Sequence, residues 1–140
     1  MIPMIRTALF AASLLCWCVL TAHAQELVQR DVKAQPGRDV RVGIYTNIRP
    51  DCTSGPLPAI RLATAPQHGT VTVKRGMLKA TNVKQCLATD VPAFVAFYRA
   101  ATDFTGADEF QLEISSAGGR KQIEHFQVSV TTAPGGAQGI

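Results

Sequence analysis

The sequence predicts an all-β chain, a β-sandwich of about seven strands, and three observations predict it. Apolar and polar residues alternate in several windows, as at Val40, Val42 and Ile44 and again at Phe110, Leu112 and Ile114. Period two marks a strand with one buried face. Turn signals rich in Gly and Pro recur about every 8–12 residues, the spacing of a sandwich. No window beyond residue 24 sustains apolar residues at helical spacing behind a cap.

Residues 27–34 form the first expected strand, with Val28 and Val32 among polar neighbours. Gln35-Pro36-Gly37-Arg38 is a turn signal. Residues 39–46 alternate, placing Val40, Val42 and Ile44 on one side and Arg41, Gly43 and Tyr45 on the other. Residues 47–58 hold three prolines, a glycine and Cys52, so a long loop is expected. A short strand follows over 59–63, and Pro66-Gln67-His68-Gly69 turns the chain. Residues 70–73 alternate again, and Lys74-Arg75-Gly76 reads as a hairpin turn with 77–80 pairing back. Residues 81–92 read as irregular and carry Cys86, and the most apolar strand covers 93–100. A polar corner then leads into the strand of Phe110, Leu112 and Ile114. Ala117-Gly118-Gly119-Arg120 turns the chain into a last strand over 123–130, with Phe126, Val128 and Val130 in phase.

The first 24 residues have a different character. Arg6 is their only charge, an apolar run covers 7–20, and Thr21-Ala22-His23-Ala24 ends in small residues. That is the layout of a secretory signal peptide cleaved after Ala24. The run is shorter than the ~20 residues that span a bilayer. Leu15 before Cys16 and Trp17 before Cys18 are poor contexts for lipid attachment. The expectation is a periplasmic or extracellular protein with no stable membrane anchor after cleavage. Its sandwich domain covers 25–131, and a flexible Gly/Ala/Pro-rich tail covers 132–140.

Two cysteines remain beyond residue 24, Cys52 and Cys86. An even count in an exported chain predicts a disulfide between them. Closing that loop contributes roughly 3–4 kcal/mol in the chain-entropy model. The net charge of +4 falls to +3 once Arg6 is removed, and the basic residues are scattered. No basic run or basic helix is present, which argues against nucleic acid as a partner.

Pro66-Gln67-His68-Gly69-Thr70-Val71-Thr72, followed by Tyr98, Phe104, Gly106, Asp108 and Phe110, resembles bacterial cadherin-like or immunoglobulin-like repeats of exported proteins. The resemblance spans about residues 40–130. It implies the sandwich fold, and it implies a corner anchored by Tyr98, Phe104, Gly106 and Phe110. Ala100 stands where the family usually places proline, and the stretch from 76 to 98 is longer than usual.

The chemistry-bearing residues point away from catalysis. Ser54 lacks a nucleophile-elbow context, and neither His68 nor His125 sits in a recognisable signature. No cofactor is expected. Asp103, Asp108 and Glu109 form a weak calcium candidate, set against the favoured reading that Asp103 and Asp108 hydrogen-bond turn backbone. The disulfide would tie two loops together and bring Arg49, Asp51, Lys84 and Gln85 close, a candidate partner-binding surface. The functional expectation is an exported, non-enzymatic binding or structural module of the cell envelope. Its partner would be a protein or an envelope polysaccharide. The alternatives are a small carbohydrate-acting enzyme or accessory domain and a calcium-dependent adhesion unit.

Overall fold

The computed structural model describes residues 25–81 and 83–132, so the signal-peptide reading of 1–24 and the tail reading beyond 132 fall outside the described residues. Seven strands form: β1 (Glu26–Ala34), β2 (Asp39–Tyr45), β3 (Ala59–Thr64), β4 (Gly69–Lys79), β5 (Asp90–Ala100), β6 (Gly106–Ser115) and β7 (Lys121–Val130). They make two sheets, one ordered β1-β7-β6-β3 and the other β2-β5-β4. β1 runs parallel to β7, and every other pairing is antiparallel. The only helical segment among the described residues is a three-residue 3-10 turn at Lys84–Cys86. The all-β sandwich expected from the sequence is the architecture observed.

The core forms where the alternation said it would. Phe110 and Leu112 from β6, Phe126, Val128 and Val130 from β7, and Tyr98 from β5 are buried between the sheets. Burial of each large apolar side chain contributes roughly 1.5–3 kcal/mol. Three rings stack in a row across the sandwich: Tyr98 on Phe110 at 5.6 Å between centroids, and Phe110 on Phe126 at 4.5 Å.

Three local expectations are corrected. The expected hairpin at Lys74-Arg75-Gly76 does not form, and β4 runs straight through it, paired residue for residue with β5 from Gly69↔Ala100 to Lys79↔Asp90. The long partner strand supplies a full ladder, and Gly76 takes an ordinary strand position within it.

The phase of β2 also differs. Its register shifts between Arg41 and Gly43, which places a bulge there. A one-residue slip swaps the two faces of a strand. Val40 and Val42 pack against the core, but Ile44 is left outside and Tyr45 is turned inward. Gly43 permits this, because a Cβ there would sit 2.5 Å from the Tyr45 hydroxyl oxygen.

Finally, β5 begins at Asp90 and so includes Val91 and Pro92, where the sequence predicts irregular chain. β2 pairs with β5 only as far as Phe94, so β5 has a single neighbour at Pro92. Strand proline is tolerated at such a one-sided position.

Candidate functional site

The two ends of the sandwich carry different chemistry. At one end β5 turns into β6 through residues 101–105. Gly106 opens β6 with φ +132°, a region that side-chain-bearing residues rarely enter. Two residues later Asp108 points into the core and is only 7 % exposed. Tyr98 Oη donates to its Oδ2 at 2.7 Å. The backbone N–H of His68 donates to Oδ2 at 3.1 Å, and those of Gln67 and Glu109 donate to Oδ1 at 3.1 and 2.9 Å. Burial pushes the Asp108 pKa up, but the bonds from Tyr98 and the three backbone N–H groups outweigh it and hold the carboxyl below its ordinary value. Burial, and then the bond to Asp108, raise the Tyr98 phenol. His68 stacks on Phe104 with ring centroids 4.0 Å apart. One carboxylate thus ties the 66–69 turn, β5 and β6 together. Tyr98 stacks on Phe110 at this corner, and Phe104 lies against Gly106.

These bonds commit the Asp108 oxygens to the fold. Glu109 is the next residue along the strand and faces outward, where its Oε2 lies 3.1 Å from His125 Nε2. Asp103 lies exposed in the connecting turn. The three members of the calcium candidate therefore do not converge. Among the described residues no group of three His, Cys, Asp or Glu side chains could hold a metal ion.

At the other end Cys52 and Cys86 are joined by a disulfide, with Cα atoms 5.3 Å apart. It crosses from the 46–58 loop to the 80–89 loop. Cys86, Ala80 and Val91 are buried there, with Ile48, Cys52 and Val83 packed around them, as a small second core. The candidate residues Arg49, Asp51, Lys84 and Gln85 are all exposed around the bridge. Arg49 Nη1 donates to the Ser54 carbonyl at 3.2 Å. Asp51 Oδ1 accepts from Thr53 Oγ1 at 2.6 Å and from its N–H at 3.1 Å. Those bonds hold the Asp51 carboxyl below its ordinary value. Arg49 and Asp51 thus shape their own loop, while Lys84 and Gln85 sit on the 3-10 turn. Two non-glycine residues at this end have positive φ, Cys52 at 66° and Ala88 at 64°. Beside the bridge loop a cleft of about 500 Å³ opens between Ile44, Tyr45, Asn47, Pro56 and Ile114.

A second buried carboxylate lies in this half of the sandwich. Glu124 on β7 is 3 % exposed and accepts from Tyr45 Oη at 2.5 Å. Arg30 Nη2 donates to it at 3.1 Å, and Gln122 Nε2 at 3.3 Å. Burial, and then the bond to Glu124, raise the Tyr45 phenol. Sequence reasoning did not single out this pair. The available signal was Glu124 itself, a charge in phase with Phe126, Val128 and Val130.

The strands of the two sheets differ in charge. The strands of the three-stranded sheet carry Arg41, Lys74, Arg75, Lys79 and Arg99 against Asp39 and Asp90, a net of +3. The strands of the four-stranded sheet carry six acidic and four basic residues, a net of −2. Its outer face is a mixed polar ladder, with Arg61 and Lys121 on Glu113 and with His125 between Glu109 and Gln29.

Compared with models of known protein families, the chain matches none, and a comparison with curated proteins finds no match.

Proposed function

We propose that this chain is an exported, non-enzymatic binding module of the cell envelope, of the cadherin-like or immunoglobulin-like kind. It meets its partner, a protein or an envelope polysaccharide, through the loops at the disulfide end. One observation carries the reading: a covalent bridge clamps two irregular loops against each other and leaves Lys84 and Gln85 exposed upon them. Loops held on a rigid sandwich are where such architectures place recognition. The buried carboxylates support a non-catalytic reading. Asp108 and Glu124 each accept a bond from a tyrosine hydroxyl inside the core and face no open cleft together.

The test is site-specific photocrosslinking in the periplasm of a bacterial host. A photoreactive residue replaces Gln85 in one variant and Gln111, on the outer face of the four-stranded sheet, in another. The expected result is a discrete adduct from position 85 and none from position 111. An adduct that a polysaccharide hydrolase removes identifies a glycan partner, and one that a protease removes identifies a protein. Equal labelling from both positions, or none from 85, would overturn the assignment of the disulfide end.

A further inference from the structure

Among the described residues, nothing pairs with the long margin of the sandwich formed by β3 and β4. β1 approaches β2 at one side of the molecule, so β3 and β4 flank the opposite side. β4 is the terminal strand of its sheet, and it is eleven residues long. Its pairing with β5 runs without a register shift, and it contains no proline. Sheet edges are usually blunted by bulges, prolines or shortness, because a straight edge offers a row of free backbone groups to another strand. β4 has none of these three defences; its guard is charge, Lys74 facing outward and Arg75 facing inward, which disfavours any added strand that brings no carboxylate.

The side chains along that margin are also uncovered. Val73 and Met77 share the core-facing side of β4 with Val71, which packs against the core. Yet they are 38 % and 63 % exposed. On the facing sheet Leu62 pairs with the buried Leu112 and is still 40 % exposed. These apolar groups point between the sheets, and among the described residues no strand closes over them.

We propose that the β4 edge accepts an eighth strand: an extended segment of a partner polypeptide that alternates apolar residues with acidic ones. The apolar residues of that segment would cover Val73, Met77 and Leu62, and its backbone would pair with β4 in the manner of strand addition. The charge of the edge selects the occupant. Lys74 and Arg75 are neighbours at mid-strand on opposite faces, Lys74 outward over the Phe97 ring and Arg75 on the core-facing side between Val73 and Met77, and neither has a carboxylate partner among the described residues. Adjacent strands lie about 4.8 Å apart, close enough for a carboxylate on the incoming strand to reach either group. A second copy fits poorly. Symmetric antiparallel pairing about the middle of β4 would set Lys74 against its own counterpart, and like charges directly opposite are destabilising.

The proposal does not depend on the disulfide-end reading, because amides of β4 report it and crosslinks from position 85 report the other. The oxidised protein is titrated with a nine-residue peptide of alternating valine and threonine bearing a central glutamate, and backbone amide shifts are followed by NMR. The expected result is saturable shifts over residues 70–78, with binding at least tenfold tighter than for the same peptide with a central lysine. The Lys74→Glu/Arg75→Glu protein, altered only at exposed positions, should reverse that preference. Equal binding of the two peptides, or no shifts in β4, would overturn the proposal. Concentration-dependent dimerisation with β4 shifts in the absence of peptide would overturn it in favour of a second copy.

Discussion

At the corner end Tyr98 donates its hydroxyl proton to Asp108, and in the opposite half Tyr45 does the same to Glu124. Each pair joins a tyrosine of the three-stranded sheet to a carboxylate of the four-stranded sheet. The surroundings of the two carboxylates differ. Asp108 is closed in by three backbone N–H groups that have no freedom to leave. Glu124 relies on Arg30 and Gln122, and the Arg30 side chain is half exposed. The two non-glycine residues with positive φ among the described residues, Cys52 and Ala88, both lie at the disulfide end, while the corner uses glycine at 106. The lesson is that one end is fastened by backbone and burial, and the other by a covalent bond and movable side chains. In the proposed binding role, the first kind of end would keep the second kind in place.

The largest expected effect comes from removing the corner carboxylate. Asp108→Ala leaves the Tyr98 hydroxyl and three backbone N–H groups without an acceptor, and should cost about 3–4 kcal/mol in denaturant unfolding of the oxidised protein. The effect should depend on pH with a defined sign. The folded-state pKa lies below the ordinary 3.8, so the stabilisation is complete above that value and is lost as pH falls through the folded pKa. Wild type and Asp108→Asn should therefore converge in stability as pH falls below 3.8 and through the folded pKa, and differ most near neutrality. A difference that stays constant down to that acidity would mean that the charge of Asp108 contributes nothing.

Gly106→Val should cost about 2 kcal/mol, because valine at φ +132° is strained whatever space surrounds it. An unchanged melting temperature would show that the corner relaxes around the side chain. The smallest effect is expected from Glu124→Gln, at about 1 kcal/mol, since the amide oxygen still accepts from Tyr45 while the ion pair with Arg30 is lost. If Glu124→Gln proved as damaging as Asp108→Ala, the contrast between the two pairs would collapse.

The corner was legible because its parts are close in sequence. Tyr98, Phe104, Gly106, Asp108 and Phe110 lie within a single strand–turn–strand unit, and each has a local reason to be there. The disulfide was legible from the cysteine count beyond residue 24. The Tyr45–Glu124 pair was not, because its members are 79 positions apart and meet only after a bulge turns Tyr45 inward. Alternation alone placed Ile44 inside, and no local signal distinguished a bulge at 41–43 from a regular strand. The continuity of β4 was hidden for a similar reason. Lys74-Arg75-Gly76 has turn composition, and only the long partner ladder of β5 overrides it. The open margin beside β4 was invisible in the sequence, since it follows from how far each sheet extends over the other.

The division into a fastened end and a displaying end is tested most directly by native-state hydrogen exchange of the oxidised protein. The amides of Gln67, His68 and Glu109, bonded to Asp108, should exchange only with global unfolding, at the same free energy as the amides of Phe110 and Phe126. The loop amides of Arg49, Cys52 and Gly55, bonded only within their own loop, should open locally and exchange at least ~100-fold faster. Exchange at Gln67 and His68 as fast as at Arg49 and Cys52 would contradict the account, because the corner would then be no firmer than the loops it is said to support.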